Sequence, residues 1–373
     1  PPRRERFEST QIPAPRVAKP DRWCMLKVMT MRAAIAGLVF SGLAALAPLA
    51  AGQVVVLPGS FSQGLTGISA DGRRVVGEGQ GHPYFIWSQT SGYMFFDQPG
   101  VGVAGLPALA GDGHSLLGIS GAAATLNRSF ITTDTGQSTY LPFTFPGQVN
   151  QSFPTGISRD GSVVSGWDTH TSSSIQVGWR WSASGGMQVL PFRVAGAMSG
   201  DGSTIFSLND SPTRVWRNGT ITTLPVGSGA ISTVNYDGSV YAGVSTLGLT
   251  IWHHDVPTGV PMLPGMAIGS FTDVDETGSV AVGTMSDGTA LNVPFIWTPS
   301  GGTQPLGAYF ASYGYDLSGY RIFNAHVSDD GRTFALGATP IGGSIARGII
   351  VTIPCPATLG VLVGLFASAR RTR

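Results

Sequence analysis

The chain has 373 residues, of which 53 are glycine and only 12% are charged, and its formal net charge is +1. Residues 53–353 hold 11 Arg and no Lys against 18 acidic residues, a net charge of −7, so the body has no basic field for a nucleic acid. High glycine with few charges fits many short strands joined by tight turns, and the two cysteines, Cys24 and Cys355, lie too far out to staple that body.

Residues 1–24 are rich in Arg and Pro and have no apolar periodicity, so they are expected to be an upstream extension or a disordered leader. From Met25 the text changes. Lys27 and Arg32 precede the apolar run "AAIAGLVFSGLAALAPLA", and the small residues Ala50, Ala51 and Gly52 follow it. Residues 25–52 therefore read as a secretory signal peptide cleaved before Gln53, with Met25, Met29 and Met31 as candidate starts.

The body repeats one phrase. "GISADGRRVVGEG" from Gly67, "GISRDGSVVSGW" from Gly156 and shorter versions at Asp112, Asp201, Asp237 and Asp330, with a worn copy from Glu276, place seven turn glycines at Gly72, Gly113, Gly161, Gly202, Gly238, Gly278 and Gly331. A period near 40 residues with strand chemistry is the mark of a propeller blade. Each copy predicts four strands, with Asp-Gly as the tip of a two-residue hairpin between the first two. Trp87, Trp181, Trp216, Trp252 and Trp297, with Ile131 in the second copy, occupy one slot of the third strand and are expected to pack between sheets. Leu-Pro pairs such as Leu190 and Pro191 end the fourth strand, where an edge tolerates proline. "QVVVLPG", Gln53 to Gly59, carries the same ending ahead of the first full copy, and the seventh copy stops one strand short. The expected fold is therefore an all-β, seven-bladed β-propeller of four-stranded repeats over 53–353, closed by the N-terminal strand.

Chemistry is sparse. "WHHDVPTG" holds His253, His254 and Asp255, but adjacent strand residues face opposite ways, so a solvated turn is expected rather than a metal. "DVDETG" places Asp273, Asp275 and Glu276 together yet aligns residue for residue with "GISRDG", so it reads as a degenerate repeat turn rather than a calcium loop. His82, His114, His170 and His326 are scattered over different copies. No nucleophile elbow, phosphate loop or zinc-protease motif occurs, and no catalytic residue, metal or cofactor is expected.

The phrase "GIS.DGS.VVG" followed by "F.W" and "GG" resembles the extracellular HAF-type repeats of bacteria over nearly all of residues 60–353. The C-terminal "IPCPATLGVLVGLFASARRTR" resembles a PEP-CTERM sorting signal, with Pro354 and Pro356, an apolar run from Ala357 to Ala369, and Arg370, Arg371 and Arg373. Cys355 stands where that signal usually carries Glu. The resemblance implies an exosortase-like sorting enzyme and the inner membrane as partners of residues 354–373. Read physically, the tail is a short apolar helix stopped by an arginine cluster.

These readings combine into an exported, surface-held or extracellular binding or structural module with a polysaccharide or protein ligand, and not an enzyme. A polysaccharide-active hydrolase or lyase is the alternative, favoured by a cluster of inward-facing Asp and Arg at one rim. A calcium-dependent adhesin is the third reading.

Overall fold

Repeat three shows how the sequence makes its turns. The strand Val149–Ile157 runs into Arg159–Asp160–Gly161–Ser162 and returns as Val163–His170, followed by Gln176–Ser182 and Gly186–Val189, all antiparallel. The two-residue hairpin is corrected here. The Ser158 N–H donates to the Val163 carbonyl across a four-residue loop, Gly161 N–H donates to the Ser158 carbonyl, and only the glycine has positive φ, at 71°. Asp160 holds the loop by accepting from the Ser158 hydroxyl at 2.7 Å and the Ser162 N–H at 3.0 Å, while Ser158 Oγ accepts from the Val163 N–H at 2.9 Å. Asp160 is therefore a side-chain brace rather than a left-handed tip, and these hydrogen bonds, that of Ser158 first, hold its carboxyl below the usual range. A tip with positive φ at both residues does occur, at His254 and Asp255. There Asp255 accepts from Arg217 at 2.7 Å and from the Tyr241 hydroxyl at 2.8 Å.

The computed structural model describes residues 52–354, apart from 80–81, 97–106, 122–126, 148, 171–173, 225–227 and 290–291. Within it Gly52–Ile353 forms one compact unit. The described strands form six sheets, five of four strands and one of eight. The large one arises because a single parallel bridge, Gln151 to Asn127, joins the strands of repeats two and three. Strand Gln53–Val56 pairs antiparallel with Arg347–Thr352, Gln53 opposite Thr352 and Val56 opposite Ile349. Six sheets, one of them shared by repeats two and three, stand where seven separate four-stranded sheets were expected. The expected closed, seven-bladed arrangement is thus corrected to an all-β, multi-sheet architecture whose sheets are not closed into a barrel.

The core lies between neighbouring sheets. Trp216 is buried with Leu190, Phe192 and Ile205, and Trp252 with Phe206, Val215 and Leu224. These tryptophans span from one repeat to the next, the packing expected of them. Leucines of the Leu-Pro pairs supply the last ladder bond before the proline: Leu57, Leu141, Leu190 and Leu224 N–H groups each donate to the adjacent strand, and all four side chains are buried. Among the described residues one helix, Leu306–Ser312, breaks the repeat between copies six and seven and buries Leu306, Tyr309 and Phe310 against Ile296 and Phe334. No helix among the described residues is long and apolar enough to cross a membrane.

Candidate functional site

The residue just before each turn Asp, or its Thr equivalent, varies widely between the copies: Ala70, Gly111, Arg159, Gly200, Tyr236, Glu276 and Asp329. The fold brings all seven around one cavity of about 110 Å³. Their backbones are strung together. Ala70 N–H donates to Gly111 O at 2.8 Å, Asp112 N–H to Arg159 O at 2.7 Å, Arg159 N–H to Gly200 O at 2.6 Å and Asp201 N–H to Tyr236 O at 2.8 Å. Asn235 Nδ2 then donates to Glu276 O at 2.9 Å, Glu276 N–H to Asp329 O at 3.1 Å and Asp329 N–H to Ala70 O at 3.1 Å. What links one repeat to the next on this side is therefore a circuit of turn hydrogen bonds, separate from the sheet ladders.

The side chains of four repeats meet at the mouth. Arg159 Nη2 forms an ion pair with Asp329 and another with Glu276 at 3.4 Å, and its guanidinium stacks 4.1 Å from the Tyr236 ring centroid. Glu276 Oε2 also accepts from the Tyr236 N–H at 3.1 Å. Burial pushes the Glu276 carboxyl above its ordinary range, helped by Asp237 and Asp275 and opposed by the Tyr236 N–H and Arg159. The rest of the lining is mixed: Ile68, Ile157, Val234, Val274 and Val327 each come from a different first strand, and the polar Asn235 and Asp273 stand among them.

The degenerate turn behaves as its alignment predicts. Asp275 replaces Ser158, accepting from the Val280 N–H at 3.0 Å and the Ser279 hydroxyl at 2.7 Å, and burial raises its pKa. Asp273 instead receives the Val327 N–H at 3.1 Å, with His326 3.6 Å away. The other histidines stay apart: His114 pairs with Asp134, which also binds Arg74 at 2.8 Å, and His170 packs edge-on to Phe145. No group of three metal-ligating side chains forms among the described residues. Asp168 was not singled out by the sequence. It is fully buried and accepts from Trp179 Nε1 at 2.6 Å, Thr144 N–H at 2.8 Å and Thr144 Oγ1 at 2.9 Å, so it pins the Thr144 loop rather than facing solvent. Of the tail residues, Pro354 ends the described chain, and Cys355, Pro356, Arg370, Arg371 and Arg373 lie outside it, as does the signal segment up to Ala51.

Comparison with solved structures places the architecture. The chain resembles a β-propeller domain. It matches the β-propeller domain of the Trilobed protease from Pyrococcus furiosus with a TM-score of 0.52 at 10% identity, over 78% of this chain and 95% of that one. That domain is described as having an open velcro topology. A chain from a study of two prolyl endopeptidases matches with a TM-score of 0.49 at 14% identity, over 90% of this chain but 56% of that one. No family model and no curated protein matches the sequence.

Proposed function

We propose that residues 53–353 form a binding or structural module of the bacterial envelope or extracellular matrix, exported by the segment 25–52 and delivered by the tail 354–373. The observation that supports it is where the exposed aliphatic side chains lie. Ile175, Leu247, Ile341 and Ile345 sit in connections between the second and third strands of their repeats, and Ile268 begins a first strand. These five are at strand ends remote from the Asp-Gly turns, whereas Val256, 65% exposed, follows the His254–Asp255 tip at the turn end. Apolar groups left in water at one end of a rigid scaffold mark a docking face. At the turn end Arg159 pairs with Glu276 and Asp329, and turn carboxylates such as Asp160 and Asp201 accept from their own loops.

A panel of matrix polysaccharides and envelope proteins, presented to the full chain and read for both retention and turnover, tests this. Retention is expected to fall at least tenfold in Leu247→Ser/Ile341→Ser/Ile345→Ser with an unchanged melting temperature. Equal retention by that variant removes the face from the proposal.

A second reading, a polysaccharide hydrolase or lyase, draws support from Arg159, Glu276 and Asp329 gathering at one rim, with the Glu276 carboxyl shifted toward the range of a general acid. Turnover abolished by Glu276→Gln would establish it in place of the first.

The tail carries the proposal on location. Its apolar run enters a bilayer with the arginines on the cytoplasmic side. Truncation after Ile353 is expected to shift the chain from the membrane fraction to the periplasm or medium without altering its melting temperature. Intact mass of both fractions reports whether an exosortase-like enzyme removes the tail despite Cys355. Full-length chain found free in the cytoplasm overturns the export reading.

A further inference from the structure

The Arg159 side chain starts in the third repeat yet its head group reaches the turns of the fifth, sixth and seventh. We propose that Tyr236, Glu276 and Asp329 form a recognition site for a guanidinium-type cation on a short apolar stem, occupied in the resting molecule by Arg159 as a built-in ligand. This rests on reading the chain as a binding module and names a ligand class for its turn end.

Three features define the class. The aromatic face and two carboxylates around one head group suit a planar cation, which stacks and forms ion pairs at the same time. The aliphatic part of the cavity lining, Ile68, Ile157, Val234, Val274 and Val327, offers contact to a short apolar stem carried by that cation. Anions are disfavoured because the backbone N–H groups that would cradle one, those of Ala70, Arg159, Tyr236, Glu276 and Asp329, already donate to neighbouring turns. A multidentate metal site is disfavoured too, since no three ligating side chains converge among the described residues.

The head group is exchangeable because it is not sealed in: the Arg159 side chain keeps 34% of its exposure, and Glu276 and Asp329 keep 35% and 37%. Ion pairs this open are individually weak. What favours Arg159 over a free competitor is its tether, which gives it a high local concentration. Shortening Arg159 therefore unmasks the site without dismantling the turn circuit, which uses its backbone and not its side chain.

The test uses the full-length chain and methylguanidinium as probe, followed by calorimetry and thermal shift at constant ionic strength. Arg159→Ala is expected to bind the probe saturably in the millimolar range and to rise in melting temperature with it. The wild type should bind at least tenfold more weakly, and Arg159→Ala/Glu276→Gln/Asp329→Asn should not respond. Arg159→Gln, which keeps most of the stem, serves if the alanine variant fails to fold. Absence of saturable binding in the folded single variant, or equal binding by wild type and triple variant, overturns the proposal. Because the polymer face lies at the opposite strand ends, a chain that retains polymer but ignores methylguanidinium loses this site alone. A chain that binds methylguanidinium but no polymer keeps it and loses the broader reading.

Discussion

Deleting Gln53–Gly59 is expected to abolish cooperative folding and drive the chain into aggregates. The deletion removes the partner of Arg347–Thr352 along four registered pairs and exposes the row Ile349, Ile350 and Val351 as an open edge. An apolar edge strand of this kind templates pairing with other chains. It also removes Leu57, which is 1% exposed and packs with Phe61, Leu65 and Ala346. Losing a leucine from such a core costs roughly 2–5 kcal/mol. Two tethers go with it, the Pro58 carbonyl that accepts from the Tyr93 hydroxyl at 2.6 Å and the Gly59 carbonyl bound by Arg347. Set against a total stability of about 5–15 kcal/mol, the combined loss is decisive. Size-exclusion chromatography and a thermal melt check it: a monomeric deletion variant with the parent transition would show that the strand is dispensable.

The strand pattern was legible because each structural job in this fold leaves a repeated residue. Gly161 marks the turn, Trp216 and Trp252 the packing between sheets, and Leu190 the last ladder bond. The pairing of Gln53–Val56 could be read from an ending, Leu57 and Pro58, that matched fourth strands elsewhere. The joining of two sheets into one could not. Whether repeats two and three share a ladder depends on one bridge, Gln151 to Asn127, which no local propensity records. The helix Leu306–Ser312 was missed although Leu306, Tyr309 and Phe310 have helical spacing. The wide interval between Gly278 and Gly331 was its only other trace.

The candidate site was hidden for the opposite reason. Repetition marks only the residues that copies share, and Arg159, Tyr236, Glu276 and Asp329 occupy a slot that varies from copy to copy. Symmetry brings the slot together from every repeat, so variation there gives one mouth several different groups. Asp168 left no repeated signal, since its partners Thr144 and Trp179 lie at unrelated spacings.

Two glycines with nearly the same backbone should respond very differently to one added methyl group, and this separates the two demands a turn glycine meets. Gly161 has φ 71° and Gly186 has φ 67°, so the conformational penalty of alanine is alike at both, about 1 kcal/mol or somewhat more. Their surroundings are not alike. A Cβ on Gly186 meets nothing within 4 Å, because that turn projects into solvent. A Cβ on Gly161 falls 2.5 Å from Ser115 Oγ and 2.7 Å from Ser115 Cβ, in the second strand of the preceding repeat. Relief requires that the turn move off its neighbour, which strains the Asp112 N–H to Arg159 O bond of the turn circuit as well. Overpacking of this kind adds about 1–3 kcal/mol. Gly161→Ala should therefore be clearly less stable than Gly186→Ala in denaturant unfolding, with Ser115→Gly recovering part of the difference only in the Gly161 background. Equal losses at the two glycines, or no recovery, would mean that positive φ alone explains the repeated glycine and that contact between repeats at the turn does not.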